Sequence, residues 1–263
     1  MKIVVCVKQV PDTESRLRVA KDGRWIDEED VAFVVNECDE YALEEALRIV
    51  EKVGGEVIVL SLGPARARES LRKALALGAA RAVLLAGEAF AGGDALSNGR
   101  ALAAAVRRED PDLVLTGSQS DDHGFGATGT VIAGELGWPH AWLVMGVEVE
   151  EGAFRVTREM ESGLNEIFRI RAPAVLEIQA GINHPRYASL KGIMAAKKKE
   201  IAELTPADLE LDPATVGASG SRLEVLSVDF PESGRTAQIL GGDAATAARA
   251  LVDKLRHEAR VIE

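Results

Sequence analysis

Short apolar runs alternate with longer amphipathic segments over the first half of the chain, and this alternation restricts the fold more than any other feature. The apolar runs are continuous, as in strands buried on both faces of a parallel sheet: Ile3–Val7, Val57–Leu60, Val83–Ala86 and Leu113–Leu115. Helical periodicity with start and stop residues predicts helices over about Asp39–Val53, from Pro64 to Gly78, from Asp94 to Arg108 and over Ala127–Leu136. The repeated strand–helix unit predicts an α/β fold with a mostly parallel sheet and helices on both faces.

The pattern changes after Trp138 and Pro139. Three alternating segments predict antiparallel strands that extend one edge of the sheet: Val147–Glu150, Phe154–Thr157 and Glu166–Arg171. Ala174–Ile178 is apolar enough to return to the main sheet.

The C-terminal third departs again from the strand–helix alternation, and from Asn183 onward we expect no fifth unit. A lysine run, a Pro/Asp-rich stretch, a Gly/Ser linker at Gly217–Ser221, a short strand and a final Ala/Leu helix follow instead. This region is interpreted as an arm, and arms that cannot bury themselves commonly lie on a partner.

Composition excludes several classes of protein. The net charge is −11 at pH 7, so the chain lacks the overall positive charge that marks a nucleic-acid-binding protein. Cys6 and Cys38 lie far apart without a CxxC motif, which favours free thiols in a reducing compartment. No stretch approaches the roughly 20 apolar residues of a membrane span. We expect a soluble, cytoplasmic protein.

A glycine-rich loop, Thr116–Gly129, follows the fourth predicted strand and precedes a helix. Gly124, Gly126 and Gly129 have G-x-G-x-x-G spacing, and backbone N–H groups at a helix start form a natural phosphate site, to which Thr128 could add a hydroxyl. A dinucleotide-binding motif lies in a tight turn directly after the first strand, whereas here several residues separate the glycines from the fourth strand. A flexible loop without a ligand is therefore the competing interpretation. The position at the carboxyl end of a strand favours binding.

No catalytic or metal constellation is evident in the sequence. Asp121, Asp122 and His123 are consecutive, and consecutive side chains rarely converge on one ion, so Asp122 is interpreted as a polar or ribose-contacting residue. The chain has no G-x-S-x-G motif, and neither cysteine has a histidine neighbour in sequence. We therefore expect no bond-making catalysis and no metal.

A cationic segment stands out in this acidic chain. Five cations and no acid lie between Arg186 and Lys199, and Leu190, Ile193 and Met194 have the spacing of one helix face. An apolar anchor ringed by positive charge suits transient docking, since burial of the anchor holds the partner and charge steers the encounter.

The run PRYASLKGIMAAKKK within 185–199 resembles the signature of electron-transfer flavoprotein beta subunits. Other stretches resemble the same family at matching places: VVCVKQVPD, VNECDEYALEEALR, LSLGPARARESLRKALALGA and GTVIAGELGWP. The resemblance covers essentially the whole chain and thins after about Asp208. It implies a Rossmann-like domain of the adenine-nucleotide alpha-hydrolase-like type at 1–183, a partner-recognition loop and basic helix at 184–204, and a C-terminal arm at 205–263 that packs on an alpha subunit.

The resemblance also implies cofactors and partners. FAD would be held mainly by the alpha subunit of a heterodimer, and this subunit would hold AMP structurally. The family pattern places the AMP contacts at Cys6, Asn36, Glu37, Cys38, Asp39, Leu62, Ser120, Asp121, Asp122, His123, Gly124, Phe125, Gly126, Ala127, Thr128, Gly129, Thr130 and Val131. The predicted docking residues are Arg186, Tyr187, Leu190, Ile193, Met194, Lys197, Lys198 and Lys199.

The implied function is electron transport from flavin dehydrogenases, such as the acyl-CoA dehydrogenases of fatty acid oxidation, toward a membrane quinone oxidoreductase. Three alternatives remain open from sequence. One is a bifurcating flavoprotein with a second FAD in place of AMP, another is a nicotinamide-dependent oxidoreductase using Gly124–Gly129, and the third is a stress-type ATP-binding protein. Thr13 and the glycines Gly124 and Gly126 depart from the animal proteins of the family, in which a tyrosine and larger polar residues stand at these places.

Overall fold

The computed structural model describes residues 1–231 and 237–262. Within the chain two compact units are distinguished, Met1–Leu226 and Ser227–Glu263. The boundary between the two units thus lies after Leu226, whereas the sequence places the start of the arm at residue 205. Residues 232–236 and 263 of the predicted arm lie outside the described residues. No helix in the described ranges is both long and apolar enough to cross a bilayer.

A nine-stranded sheet forms the centre of the first unit. The strands of the chain are β1 (Lys2–Cys6), β2 (Gln9–Pro11), β3 (Phe33–Val35), β4 (Glu56–Leu62), β5 (Arg81–Leu85), β6 (Leu113–Gly117), β7 (His140–Glu150), β8 (Ala153–Glu159), β9 (Asn165–Arg171), β10 (Ala174–Ile178) and β11 (Ile201–Leu204). The sheet has the order β11-β5-β4-β1-β6-β10-β7-β8-β9, while β2 and β3 form a separate antiparallel pair. The strands from β11 to β7 are parallel.

Helices cover both faces of this sheet, as predicted. The helices of the first unit are α1 (Glu37–Val53), α2 (Arg68–Leu77), α3 (Ala95–Glu109), α4 (Thr128–Leu136), α5 (Leu190–Ala196) and α6 (Gly217–Gly220), with single 3-10 turns at Ala65–Ala67, Glu88–Phe90, Glu161–Gly163, Ala207–Leu209 and Pro213–Thr215. The second unit contains α7 (Ala244–His257). Side chains of α1 and α2 pack with alternate strand residues such as Val5 and Val59. Those of α3 and α4 pack with the intervening residues, such as Val4 and Val114, on the opposite face.

The start signal at Asp94 and the stop signal at Gly78 act as the sequence predicts, whereas Pro64 precedes a 3-10 turn and α2 begins only at Arg68. The side chain of Asp94 accepts a hydrogen bond from the N–H of Ser97 and caps α3. Gly78, with φ of 133°, ends α2 in a conformation that a residue with a Cβ rarely adopts. The antiparallel extension is also confirmed, because β8 pairs with both β7 and β9, and β10 inserts between β6 and β7.

The expectation of no further strand–helix unit after Asn183 is wrong. The chain forms α5 and then β11, which joins the edge of the sheet parallel to β5, with Ile201 opposite Ala82. This edge strand has one neighbour, and Ile201 is its only fully buried residue. Its sequence IAEL therefore lacks the continuous apolar run that identified the central strands.

The remainder of the C-terminal third differs in part from the expectation. The predicted Gly/Ser linker contains a short helical turn, α6, and residues 221–231 and 237–243 contain no strand. The final Ala/Leu helix is confirmed as α7, capped by Asp243, whose side chain accepts from the N–H of Thr246.

The order of the strands creates a switch point between β1 and β6. The chain proceeds outward from β1 through β4 to β5 and then returns to the other side of β1 as β6. Asp39, in the first turn of α1, holds this point together, because its carboxylate accepts from the N–H of Lys8 at 2.7 Å and of Gly117 at 2.8 Å. Burial raises the pKa of Asp39 to about 7, although the hydrogen bonds from these two N–H groups oppose the shift.

The raised pKa of Asp39 gives a testable pH dependence. A folded-state pKa of about 7, above the ordinary 3.8, means that the native state binds the extra proton between these values. The free energy of unfolding therefore falls as pH rises through this window, by up to about 3 kcal/mol between roughly pH 5 and 8. Asp39→Asn removes this titration, so the stability advantage of the unsubstituted chain over the variant is expected to shrink as pH rises. Urea unfolding of both proteins across this range measures the difference, and a pH-independent difference would contradict the assignment.

Candidate functional site

A cleft opens at the switch point, beyond the carboxyl ends of β1 and β6, where doubly wound sheets bind their ligands. Ten of the predicted nucleotide contacts line it: Cys6, Asn36, Asp39, Leu62, Ser120, His123, Phe125, Gly126, Ala127 and Thr128. The other eight lie outside its lining: Glu37, Cys38, Asp121, Asp122, Gly124, Gly129, Thr130 and Val131.

The N-terminus of α4 faces this cleft through Ala127 and Thr128. The first N–H groups of a helix have no partner within the helix, and the cap residue Ala127 has no side chain that could accept from them. The preceding loop reaches this position through Gly124 and Gly126, which have φ values of 64° and 56° in the left-handed region. The cleft therefore has an electropositive helix start suited to an anion.

Gly129, the third glycine of the motif, serves helix packing. A Cβ at Gly129 would lie 2.5 Å from Cγ of Glu177 on β10, so only glycine allows α4 to lie this close to the sheet. The next two residues also face away from the cleft. The hydroxyl of Thr130 donates to Glu177 Oε1 at 2.8 Å, and the side chain of Val131 lies against Gly99 of α3.

Three predicted residues connect the glycine loop to α1 by hydrogen bonds. The amide nitrogen Nδ2 of Asn36 donates to the carbonyl of Gln119, and Oδ1 of Asn36 accepts from the N–H of Asp121. In return, Asp121 accepts from the N–H of Glu37 at 3.2 Å. These side chains set the position of the loop over the cleft.

Lys8 is a lining residue that sequence reasoning missed. Its Nζ lies 2.6 Å from Oδ1 of Asp122 and 3.0 Å from Nδ1 of His123. Hydrogen bonds from His123 and Lys8 hold the pKa of Asp122 well below its ordinary value despite its burial. Lys8 interrupts the apolar run immediately after β1, at the carboxyl end of a central strand, and that position was the available signal.

An aromatic stack lies beside this cluster. The rings of Trp25 and His123 are 5.1 Å apart, and those of His123 and Phe125 are 5.6 Å apart, with interplanar angles of 16° and 18°. Phe125 and His123 line the cleft, whereas Trp25 belongs to the loop between β2 and β3. The stack thus joins the N-terminal loop to one wall of the cleft.

The opposite wall is largely apolar, with an amide at its edge. Cys6, Leu62 and Leu102 line it, and burial raises the pKa of the Cys6 thiol, which keeps it protonated. The start of α3 adds Gly93, Asp94, Ala95 and Asn98, which no sequence motif had indicated. Oδ1 of Asn98 has no hydrogen-bond partner among the described residues. The cleft therefore combines an apolar wall with polar groups that could fix an orientation.

Neither cysteine near the cleft is exposed. Cys6 and Cys38 are free and buried, and the hydroxyl of Ser118 donates to the sulfur of Cys38 at 3.6 Å. Within residues 1–231 and 237–262, no group of three or more His, Cys, Asp or Glu side chains could hold a metal ion.

The predicted docking residues lie on another part of the first unit. Tyr187, Leu190 and Met194 expose 98%, 83% and 60% of their surface, and Ile193 is exposed to a lesser extent. Lys197 and Lys198 are exposed, whereas Nζ of Lys199 donates to the carbonyl of Ala79 at 2.6 Å. Arg186 is placed differently from its neighbours, because hydrogen bonds to Glu51 and Glu44 hold it and raise its pKa.

Comparison with known proteins assigns the family. Residues 24–209 match the family described as "Electron transfer flavoprotein domain". The chain is 42% identical over 253 residues to the electron transfer flavoprotein subunit beta of Methylophilus methylotrophus, covering 95% of this chain and 96% of the relative. It is 40% identical to the proteins of the same description from Thermoanaerobacterium thermosaccharolyticum, covering 97% and 98% of the two chains, and from Bradyrhizobium diazoefficiens, covering both chains completely.

These matches extend over nearly the full length of the chain and agree with the α/β architecture. This chain accordingly belongs to the electron transfer flavoprotein family, among its beta subunits.

Proposed function

We propose that this chain, as the beta subunit of a heterodimeric electron carrier, docks flavin dehydrogenases and relays their electrons toward a membrane quinone oxidoreductase. The donors would include acyl-CoA dehydrogenases of fatty acid oxidation, and the carrier would work in the cytoplasm. The observation that carries the proposal is the exposure of Leu190 and its apolar neighbours on a cationic segment of an acidic protein. Such a surface suits brief, repeated encounters.

The redox cofactor would be FAD, held mainly by the alpha subunit, and FAD would supply the electron-accepting chemistry. This chain would form part of the wall around the flavin and contribute no bond-making group. The burial of both free thiols supports that division of work.

AMP would occupy the cleft at the switch point as a structural ligand. Cys6, Leu62 and Leu102 offer an apolar wall for a base. Lys8 and the N-terminus of α4 offer positive charge for one phosphate group. Asp39 has both oxygens engaged by backbone N–H groups, so it would shape the site rather than contact the ribose.

The proposed division of the chain is a nucleotide-binding domain at 1–183, a recognition segment at 184–204 and an arm at 205–263 that packs on the alpha subunit. Within the second compact unit, α7 buries none of its residues, and Leu251 and Val252 are exposed on it. A helix with an apolar stripe and no buried side chain gains stability when a partner covers it.

The content of the cleft distinguishes this proposal from a bifurcating carrier. We expect one FAD and one AMP per heterodimer when the purified complex is denatured and its released nucleotides are separated and quantified. Two flavins and no AMP would overturn the structural-AMP assignment and favour a second FAD in the cleft.

Lys8→Gln tests the phosphate end of the cleft. Loss of a charged hydrogen-bond donor is expected to weaken AMP binding by about 10- to 100-fold, with adenosine binding nearly unchanged because adenosine has no phosphate. Titration calorimetry on nucleotide-free heterodimer provides both values. Asp122→Asn is the matched variant, because it frees Lys8 from its ion pair and should not weaken AMP binding. An equal loss for AMP and adenosine would assign Lys8 to folding instead.

Leu190→Ala tests the docking anchor. The substitution should slow electron transfer from a reduced acyl-CoA dehydrogenase by an amount corresponding to about 1–3 kcal/mol, while FAD content and thermal stability stay unchanged. Stopped-flow flavin absorbance measures the rate. Leu164→Ala, which truncates an equally apolar side chain with 67% exposure on the antiparallel extension, is the control. Flavin loss in the Leu190 variant, or equal slowing in both, would contradict the anchor role.

A further inference from the structure

The beginning of the docking segment, defined here as residues 183–199, is fastened to α1. Arg186 forms a paired interaction with Glu44, Nε to Oε2 at 2.8 Å and Nη2 to Oε1 at 3.1 Å. It forms a second pair with Glu51, with distances of 2.5 and 3.1 Å. Paired guanidinium–carboxylate contacts fix orientation as well as distance. Asn183 adds hydrogen bonds from Nδ2 to the carbonyl of Tyr41 and to Glu45, both at 3.1 Å.

The end of the docking segment is fastened to α2. Nη1 of Arg72 donates to the carbonyls of Ala196 and Lys199, each at 2.5 Å, and so satisfies acceptors at the end of α5. Gly192 shows how close the two helices are, because a Cβ there would lie 2.3 Å from the carbonyl oxygen of Ala76. The segment is thus fixed at both ends to different helices of the same rigid domain.

Between the two fastenings, the segment presents its apolar side chains to solvent. Ser189 caps α5 by accepting from the N–H of Gly192 at 3.1 Å, which starts the helix at Leu190. Leu190 is therefore exposed without belonging to an unsupported loop. A surface that is already ordered loses less conformational entropy when a partner covers it.

The charges around Arg186 exclude a steering role for this residue. One guanidinium lies between two carboxylates, so the group formed by Arg186, Glu44 and Glu51 carries a net negative charge. Glu44 is also buried, with 6% of its surface exposed, so its ion pair with Arg186 is an internal contact that a partner could not replace. Lys191, Lys197 and Lys198 make no ion pair with any described residue and supply the free positive charge.

We infer that Arg186 and Arg72 are positioning residues, which hold the docking segment in the conformation that presents Leu190 to a dehydrogenase. The inference rests on the proposed docking function and revises the sequence-based interpretation of Arg186 as a docking cation. Partner recognition would then depend on the contacts of Arg186 with α1 and of Arg72 with the end of α5, although neither arginine would itself contact the partner.

The test uses the purified heterodimer and three variants. The first is the double variant Glu44→Gln with Arg186→Gln, because Arg186→Gln alone would leave a buried carboxylate uncompensated and could prevent folding. The second is Arg72→Gln, which releases the other end. The third, Lys198→Gln, is the matched control, since it removes an exposed cation of the same segment without breaking a fastening.

Hydrogen exchange without any dehydrogenase reports on the fastening itself. The N–H of Ile193 donates to Ser189 and that of Lys197 donates to Ile193, so both amides report on α5. We expect these amides to exchange roughly tenfold faster or more in the double variant and in Arg72→Gln, and at the unsubstituted rate in Lys198→Gln. Unchanged exchange in the two arginine variants would overturn the inference.

Electron transfer from a reduced acyl-CoA dehydrogenase then reports on the consequence. The double variant should lower the second-order rate constant roughly 3- to 30-fold with an unaltered dependence on ionic strength, whereas Lys198→Gln should mainly flatten that dependence. Adding Leu190→Ala to the double variant should lower the second-order rate constant only slightly further, because both changes disable the same contact. Fully additive losses would overturn the inference, whereas an unslowed Leu190→Ala would overturn the docking function itself.

Discussion

The carboxylate of Asp39 links the two strand ends between which the sheet reverses its order. It accepts from the N–H of Lys8 after β1 and from that of Gly117 at the end of β6, and it does so from the first turn of α1. Without Asp39 both N–H groups would lack this acceptor, and a buried N–H group without a hydrogen-bond partner lowers the stability of the folded state. This one side chain therefore ties the start of α1 to the ends of β1 and β6 beside the cleft.

Helix α1 also contacts the proposed docking segment. Asp39 in its first turn and its cap residue Asn36 lie at the cleft, and Glu44 and Glu51 further along hold Arg186 at the start of the segment. The two regions thus share one rigid element, although they lie on different parts of the surface. The proposed nucleotide and the proposed docking of partners both depend on how this helix is seated on β1, β4 and β6.

The sequence predicted the architecture well where burial is two-sided. Central strands such as Ile3–Val7 are apolar throughout because both faces are covered by helices, and that signal is strong. The edge strand Ile201–Leu204 has one neighbour and one buried residue, so its composition resembles a loop, and the fifth unit was missed. Around the cleft, the motif located Gly126, Ala127 and Thr128, but Lys8 and Asn98 come from separate elements that only the fold brings together.

Asn183–Lys199 shows most clearly what each level decides. Composition and spacing alone show that this segment combines apolar side chains with positive charge. Which of these charges are free depends on the fold, because Glu44 and Glu51 lie more than a hundred residues away in sequence and pair with Arg186, whereas Lys197 and Lys198 are exposed. The sequence gives the number of charged side chains in the segment. Whether each charge is available to a partner depends on contacts with distant residues, which the local sequence pattern does not reveal.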